Sequence, residues 1–314
     1  MRAATIVERK LVVAERPDPR PGRGQVLVRV RAAGINNADL IQVAGGYPAP
    51  PGSPPDIPGL ELAGEVVETG EAVTRWRPGD RVMALVGGGA QAEVALAEEG
   101  VAFPVPAAVS WEEAAGFPEA FITAHDALFT QCALALGEHA LVHGAAGGVG
   151  TAAVQLAAAT GARVTATVRH RELHQGVAAL GATTVVAPDD FADKGPFDVV
   201  LELVGGPNMV GNLAALAVGG RIAVIGVGAG GRADVDLFTL MFKRARISAS
   251  SLRARPHEEK AVAARLVEGH VLPLLEAGRV RVPVAATFPL AEAASAYERF
   301  AAGAKLGKIV LVMD

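Results

Sequence analysis

A glycine-rich loop between an apolar strand pattern and a small-residue helix pattern most constrains how this chain can fold. Residues 140–143 predict a short buried strand, residues 145–150 the loop and residues 150–159 a helix. In such a loop Gly147 lets a pyrophosphate approach the backbone, and Gly150 lets the helix pack closely against the strand. The N–H groups at the start of the helix favour the same anion. The segment predicts a dinucleotide-binding βαβ unit, the alternative being an ordinary glycine turn.

Strand and helix patterns alternate through the middle third of the chain. Further strands are predicted over residues 163–168, 184–187, 198–203 and 221–225, and a second helix over residues 171–180. Alternation of this kind is typical of a parallel sheet that carries helices on both faces. The middle third is therefore predicted to be an α/β domain.

The first third is predicted to be rich in β-structure instead. Short runs of Val, Leu and Ala between Pro and Gly clusters predict strands over residues 11–14, 25–32, 62–69 and 90–95. A helix is predicted over residues 37–43, followed by a proline-rich loop over residues 45–58. A loop of this length is usually functional or disordered. Residues 308–312 predict a last strand, which we expect to pack with the N-terminal domain.

Composition excludes several classes of protein. The length of 314 residues suits two domains, and the net charge of −4 argues against nucleic acid or an anionic membrane as a partner. A single cysteine, Cys132, excludes an intramolecular disulfide and a cysteine-rich metal site. The chain has no apolar run of about 18 residues and no apolar signal-peptide core near its start. We therefore expect a cytoplasmic enzyme.

The residues after the second strand of the βαβ unit indicate which nucleotide is preferred. Proteins that prefer NAD usually place Asp or Glu there to bind the ribose 2′-OH. This chain has Arg169-His170-Arg171, with no acid before Glu172. Two guanidinium groups attract a 2′-phosphate, which a carboxylate would repel. The pattern favours NADPH, the alternative being a solvated basic start of a helix.

At this point the sequence resembles a known family. It is similar to the medium-chain dehydrogenase/reductase superfamily, in its quinone oxidoreductase (zeta-crystallin-like) branch, and most similar to the tumour-suppressor-inducible type. The similarity covers nearly the whole chain in order. Besides the glycine loop, it is carried by Gly34-Ile35-Asn36-Asn37-Ala38-Asp39-Leu40, Ile57-Pro58-Gly59-Leu60-Glu61-Leu62-Ala63-Gly64, and residues 79–85, 117–124, 240–244 and 307–311.

The resemblance implies an α/β fold in which a Rossmann domain is inserted in a GroES-like, β-rich catalytic domain. We expect the catalytic domain over residues 1–117 and 256–314 and the NADPH-binding Rossmann domain over residues 118–255. The resemblance also implies an active site in the cleft between the domains, a small-molecule substrate, and a homodimer joined through the nucleotide domains.

Metal-dependent members of the superfamily bind catalytic zinc at three places that here hold Asn36, Leu60 and Glu119. Leucine cannot bind zinc and asparagine is a poor ligand. The four-cysteine lobe for a second zinc is also missing between residues 92 and 104. We therefore expect no metal. Without a Lewis acid, quinones and other conjugated carbonyls are better hydride acceptors than simple alcohols.

Three residues are predicted to act on the acceptor. In the resembling family, the residue that matches Asn36 contacts cofactor or substrate, so its amide is predicted to polarise an acceptor carbonyl. Asp39 is predicted to line the same site, and Tyr47 to stack on a planar acceptor or donate a proton or hydrogen bond. The alternatives are a capping role for Asn36, a structural role for Asp39 and a loop anchor for Tyr47.

A second set of residues is predicted to bind the cofactor. It contains the glycine loop, the basic segment after the second strand, and residues placed by resemblance, namely Thr123, Ala146, Gly147, Gly148, Val149, Arg169, His170, Arg171, Gly226, Val227, Phe242 and Lys308. The family's phosphate-binding lysine corresponds to Glu172 here, and its next tyrosine falls near Pro188. Arg169 and Arg171 are expected to compensate.

The predicted activity is NADPH-dependent, zinc-independent reduction of quinones. Enoyl reductases share the zinc-free scaffold, so reduction of the double bond of an enone or enoyl thioester is an alternative. A third hypothesis, from another class, is an NADPH-binding sensor or structural protein without turnover, because a fold does not fix a function.

Overall fold

The computed structural model describes residues 1–313 and divides into two compact units. The terminal unit consists of residues Met1–Glu119 and the segment that begins at Arg253, and the central unit consists of residues Ala120–Leu252. The sequence prediction places the corresponding boundaries after residues 117 and 255.

The first stretch of the terminal unit is built mainly from strands. Its elements are β1 (Arg2–Val7), β2 (Lys10–Glu15), β3 (Gln25–Gly34), α1 (Asn37–Val43), β4 (Glu61–Thr69), β5 (Arg81–Leu85), β6 (Val94–Glu98), β7 (Ala102–Pro104) and α2 (Trp111–Ala115). Strand β3 illustrates why. Val26, Val28 and Val30 alternate into the core, while Arg29 between them is exposed. This period of two is the pattern of a strand with one buried face.

The chain next alternates between helices and strands. The elements are α3 (Pro118–His125), β8 (His139–Val142), α4 (Gly148–Ala159), β9 (Arg163–Thr167), α5 (His174–Ala178), β10 (Thr184–Val186), β11 (Phe197–Glu202), α6 (Met209–Ala215), β12 (Leu216–Val224), α7 (Leu237–Phe242) and β13 (Arg246–Ala249). The strands form a parallel sheet in the order β10-β9-β8-β11-β12-β13. Their carboxyl ends share one edge, which is where open α/β sheets bind ligands.

The last stretch returns to the terminal unit. It contains α8 (His257–His270), α9 (Leu272–Glu276), β14 (Val284–Pro289), α10 (Ala293–Ala301) and β15 (Lys308–Val312). The larger sheet of this unit has the order β14-β15-β3-β4-β5-β7, and β6 pairs with β3. Strand β15 runs antiparallel to β3, with Val310 opposite Gly34. The prediction that the last strand packs with the N-terminal segment is confirmed.

Each unit has its own apolar core. In the terminal unit, Val28 of β3 and Ile309 of β15 share a core with Ala296 of α10. In the central unit, Leu141 of β8 packs with Phe197 of β11 among residues from α6 and β12. Burial of these side chains is the main term that stabilises each unit. No helix within residues 1–313 combines the length and the apolar character needed to cross a membrane.

Two secondary-structure predictions need correction. The strand predicted over residues 90–95 starts later, at Val94 of β6, because Ala90 and Gln91 donate their N–H groups to the carbonyls of Gly59 and Pro58. The helix predicted over residues 171–180 is shorter. It starts with a 3₁₀ turn, and the α-helical part spans only α5. By contrast, the helix predicted over residues 37–43 has the observed bounds of α1.

Candidate functional site

Helix α1 of the terminal unit begins beside a buried aspartate. Strand β3 ends at Gly34, and Asn36 occupies the position just before the first turn of α1. The carboxylate of Asp39 accepts hydrogen bonds from the backbone N–H groups of Asn36 (2.8 Å) and Gly59 (3.0 Å). Burial raises the pKa of Asp39 to about 6, because desolvation outweighs these hydrogen bonds and the nearby cations. Asp39 thus fixes the start of α1 against the segment before β4.

The side-chain amide of Asn36 lies between two oppositely charged groups. Its Nδ2 donates to Glu61 Oε1 at 2.9 Å, and its Oδ1 accepts from Lys308 Nζ at 2.7 Å. Lys308 Nζ also lies 2.5 Å from Glu61 Oε1, and the exposed fractions of the Lys308 and Glu61 side chains are 3% and 0%. The amide is therefore held by an ion pair at the start of α1.

A second carboxyl group lies next to this ion pair. The backbone N–H of Glu119 donates to Glu61 Oε2 at 2.9 Å. The pKa of the Glu119 carboxyl is raised to about 8, first by desolvation and then by repulsion from Glu61, while Lys308 acts in the opposite direction. At neutral pH Glu119 is therefore mostly protonated, and the site holds both a carboxylate and a neutral carboxyl group.

Arg253 ties the proline-rich loop to α1. Its guanidinium donates to Gln42 Oε1 at 2.6 Å, to the Gly87 carbonyl at 2.7 and 3.0 Å, and to the Tyr47 carbonyl at 3.2 Å. It also lies 5.0 Å from the centre of the Tyr47 ring, within the range of a cation–π contact. Tyr47 is half-buried and held in place by these contacts.

Lys260 of α8 adds another cation to this part of the terminal unit. Its exposed fraction is 8%, and burial lowers the pKa of its ammonium group. Attraction to Glu119 opposes that shift, whereas repulsion from Arg253 adds to it. Groups with shifted pKa values cluster at functional sites, so Lys260 and Glu119 are both candidate site residues.

The structure brings two of the three predicted acceptor residues directly together. Asn36 and Asp39 share a hydrogen bond, and Tyr47 is joined to the same helix through Arg253 and Gln42. Their catalytic roles stay predictions. Glu61, Arg253 and Lys260 were not among the site residues predicted from the sequence. Glu61 could have been found, because it is an acidic residue at the start of a strand pattern that continues with apolar residues. No local pattern marks Arg253 or Lys260.

The glycine loop of the central unit fits a pyrophosphate. Helix α4 begins at Gly148, and Gly147 precedes it in an extended conformation. A Cβ at Gly150 would lie 2.5 Å from the Gly144 carbonyl oxygen and 2.6 Å from Ala145 Cα, so only glycine allows this close packing. A Cβ at Gly147 would meet only one atom, at 3.4 Å. Gly150 thus packs closely against the residues that follow β8, whereas residues 146–149 are partly exposed.

The basic segment follows β9 at the same sheet edge. Arg169 and Arg171 are exposed, and His170 is half-buried. Glu172, the acid that departs from the family pattern, lies 3.5 Å from His170 Nδ1. Both guanidinium groups are therefore placed at the edge where a nucleotide's ribose would lie.

Other predicted cofactor residues lie in different settings. A Cβ at Gly226 would lie 2.4 Å from the Leu203 carbonyl oxygen, and Val227 beside it is exposed. Thr123 Oγ1 is buried and has no hydrogen-bond partner among the described residues. Since an unpaired buried hydroxyl costs free energy, a bound amide or ribose that reached it would be stabilising. Phe242 is 78% exposed on α7, and Lys308 is buried in the terminal unit.

A buried polar network that the sequence analysis did not predict supports this sheet edge. His143 Nε2 lies 2.7 Å from Asn212 Oδ1, and Asn212 Nδ2 donates to Glu202 Oε2 at 2.7 Å. Glu202 Oε1 accepts from the backbone N–H groups of Val204 (2.6 Å) and Gly205 (2.8 Å). Burial lowers the pKa of His143, so it is a neutral member of the network. The network fixes the loop that follows β11.

The residues at the family's zinc positions do not fit a catalytic zinc. The Asn36 oxygen is engaged by Lys308, Leu60 is buried and apolar, and Glu119 is held mostly protonated. A catalytic zinc needs three Cys, His or carboxylate ligands. Within residues 1–313, no group of three or more His, Cys, Asp or Glu side chains is placed to hold a metal ion.

Two family models match the chain. The model described as alcohol dehydrogenase GroES-like domain matches residues 22–107, and the model described as zinc-binding dehydrogenase matches residues 148–268. The first match lies in the terminal unit, and the second covers most of the central unit and part of α8.

Curated proteins similar to the chain include quinone oxidoreductases. The mouse (Mus musculus) protein is 33% identical, over 94% of this chain and 91% of its own length. The human (Homo sapiens) protein is 30% identical with the same coverage. A spectinabilin polyketide synthase system protein from Streptomyces orinoci is 34% identical over 92% of this chain, which corresponds to 13% of that much longer protein.

Solved structures of similar proteins have the same fold. A mycobacterial protein complexed with NADPH is 28% identical, with a TM-score of 0.89 and 99% of each chain covered. A thermostable alcohol dehydrogenase from Pyrobaculum aerophilum is 30% identical, with a TM-score of 0.85 and 99% of each chain covered.

The raised pKa of Glu119 predicts a particular dependence of stability on pH. The folded state binds the Glu119 proton up to about pH 8, whereas the unfolded chain loses it near its ordinary pKa. The free energy of unfolding should therefore fall as pH rises from about 5 to about 8, by about 1–3 kcal/mol after allowance for partial exposure. Glu119→Gln should flatten the curve between pH 6 and 8, measured by urea unfolding. Glu258→Gln, at an exposed position of α8, is the control, and an equal slope in wild type and Glu119→Gln would contradict the assignment.

Proposed function

Because this chain belongs to the quinone oxidoreductase family of medium-chain dehydrogenases/reductases, we propose that it reduces quinones with NADPH. The observation that carries the proposal is the Asn36 site, a hydrogen-bond donor held among buried acids and cations whose donor set does not fit zinc. Such a site suits an acceptor whose conjugation already spreads the negative charge of an added hydride. The mouse and human relatives named as quinone oxidoreductases support the same acceptor class.

The terminal unit supplies the groups that act on the acceptor. When bound, NADPH supplies the hydride. Negative charge then develops on the acceptor oxygen, and a donor already oriented toward that oxygen lowers the barrier. The Asn36 amide has a second N–H beyond the one bonded to Glu61, and we assign this N–H to the acceptor oxygen.

The reduced acceptor also needs a proton. Glu119 carries one at neutral pH, and the buried ammonium of Lys260 is electrostatically linked to it. Tyr47 is assigned to the acceptor as a ring for stacking and a hydroxyl donor, since Arg253 holds both its carbonyl and its ring. These residues belong to the terminal unit, and the proton donation, stacking and hydrogen bonding assigned to them involve no metal ion.

The central unit supplies the groups that bind the nucleotide. Residues 146–149 would hold the pyrophosphate at the start of α4, and Arg169 and Arg171 the 2′-phosphate of NADPH. Gly226 and Val227, after β12, together with the unpaired hydroxyl of Thr123, are assigned to the nicotinamide end. The similar mycobacterial structure complexed with NADPH supports this choice of cofactor.

The polyketide synthase similarity favours a second candidate acceptor. That much longer protein contains a region 34% identical to this chain, so the scaffold also occurs within a synthase. Reduction of the double bond of an enone or enoyl thioester would use the same donor, because negative charge again develops on a carbonyl oxygen.

Turnover with matched acceptor panels tests the proposed function. NADPH oxidation, followed by its near-ultraviolet absorbance, should be fast with quinones and slow with small enones and enoyl thioesters. A preference for enones or thioesters would replace the quinone assignment by the second candidate. Tight NADPH binding without oxidation by any acceptor would favour a binding protein without turnover.

The role of Arg169 in cofactor choice is tested by reversing its charge. Arg169→Glu should weaken NADPH binding about 10- to 100-fold and leave NADH binding within about twofold, because only NADPH carries the 2′-phosphate. Arg23→Glu, at an exposed position of the terminal unit, controls for the change in net charge. Binding is measured by nicotinamide fluorescence, and equal losses for the two cofactors would refute the phosphate role.

A homodimer is proposed on the evidence of an apolar surface in the central unit. The outer side chains of α7 are large and exposed, namely Leu237, Phe238, Met241 and Phe242, and strand β13 forms an edge of the parallel sheet. Exposed apolar patches and free strand edges are typical of surfaces that a second copy covers. Light scattering should give twice the chain mass of 32.0 kDa, and Phe238→Asp/Phe242→Asp should give the monomer mass. A monomeric wild type would overturn this assignment.

A further inference from the structure

The orientation of the Asn36 amide is fixed by the chemistry of its two partners. A lysine ammonium can only donate hydrogen bonds, and an ionised glutamate can only accept them. Lys308 Nζ contacts one end of the amide at 2.7 Å, and Glu61 Oε1 contacts the other end at 2.9 Å. Rotating the amide by half a turn would place donor against donor and acceptor against acceptor. The oxygen of the amide therefore faces Lys308, and its nitrogen faces Glu61.

The two partners reach Asn36 from opposite sides of β3. Glu61 opens β4, which pairs with one edge of β3, and Lys308 opens β15, which pairs with the other edge. Asn36 lies two residues beyond the end of β3. A Cβ at Gly34 would lie 2.4 Å from Glu61 Oε1, so the glycine at the strand end leaves the space that the Glu61 carboxylate fills. The three side chains form a unit built into the centre of the sheet.

The Lys308 side chain is buried, and its ammonium forms its hydrogen bonds with buried groups of the terminal unit. It donates to the Asn36 oxygen and pairs with Glu61, whose other oxygen accepts the backbone N–H of Glu119. A lysine held in this way is poorly placed to bind a phosphate of a nucleotide. Its contacts connect it to the acceptor site of the terminal unit instead.

We propose that Lys308 and Glu61 are positioning residues, which hold the Asn36 amide so that its second N–H is presented to the acceptor oxygen. The inference rests on the proposed function. Because Lys308 holds the amide oxygen, the free group that the amide presents to the acceptor is its second N–H, a hydrogen-bond donor. It thereby selects carbonyl compounds that gain negative charge on oxygen, and Lys308 acts through Asn36 and not on the cofactor.

The test separates positioning from simple structural support. Removing Lys308 alone would leave Glu61 as an unpaired buried charge, which destabilises proteins strongly, whereas neutral replacement of a whole buried pair is often tolerated. The informative variant is therefore Glu61→Gln/Lys308→Met. Arg31→Met/Glu65→Gln is the matched control, because it removes a partly exposed ion pair (3.0 Å) from the same unit with the same change in charge.

The expected result is a loss of kcat that depends on Asn36. In the wild-type background, Glu61→Gln/Lys308→Met should lower kcat about 10- to 100-fold, with Tm and the Kd for NADPH nearly unchanged. In an Asn36→Ala background, the same two changes should lower kcat by no more than about twofold, since residues that act as one unit are not additive. An undiminished loss in the Asn36→Ala background, or a large change in the Kd for NADPH, would show that Lys308 acts elsewhere. No loss in the wild-type background would show a purely structural pair.

Acceptor binding provides a readout that needs no turnover. Quinone binding without NADPH is followed by quenching of the fluorescence of Trp76 and Trp111, the two tryptophans of the chain. The pair replacement should weaken quinone binding in the wild-type background and leave it unchanged in the Asn36→Ala background. If the wild type prefers an enone or thioester, the proposed quinone function fails. The positioning role is then tested by measuring the same four variants with that acceptor. If binding is equal in all four variants, the positioning role fails whatever the reaction.

Discussion

The buried ion pair between Glu61 and Lys308 is the interaction on which the acceptor site of the terminal unit depends. Moving two charges out of water costs several kcal/mol per ion, so such a pair persists only where hydrogen bonds complete it. Here Glu61 accepts from the Asn36 amide and from the Glu119 backbone as well as from the ammonium. The pair also connects β4 to β15 across the end of β3, so the first and last segments of the chain meet at the site.

Burial and the charge on Glu61 together raise the pKa of Glu119. Desolvation is the larger cause, repulsion from Glu61 adds to it, and attraction to Lys308 only partly opposes them, so Glu119 stays protonated to about pH 8. Asp39, which is bonded to two backbone N–H groups, has a pKa of only about 6. Neighbouring carboxyl groups therefore have different protonation states at neutral pH. This separation gives the site both a fixed negative charge and an available proton without any metal.

In the central unit, the main structural requirement is that the backbone of the glycine loop can approach an anion closely. Gly150 packs against the loop too closely for any side chain, and the start of α4 remains open. The neighbouring loop after β11 is held by a hydrogen-bond network of three buried side chains, Glu202, Asn212 and His143. A satisfied polar network of this kind makes the sheet edge rigid, so that ligand groups meet prearranged partners.

Sequence alone determined the features that are local in the chain: the glycine loop between strand and helix, the bounds of α1, and the basic residues after β9. Each depends on residues within one turn or one strand, where periodicity and glycine geometry act directly. Only the tertiary structure decided the partners of Asn36, because Lys308 lies 272 positions away and Glu61 25 positions away. It also showed Arg253 holding the Tyr47 loop, and Lys260 as a buried cation. Burial and hydrogen bonds between distant strands set the charge states of these groups. Neither can be predicted from a local sequence pattern.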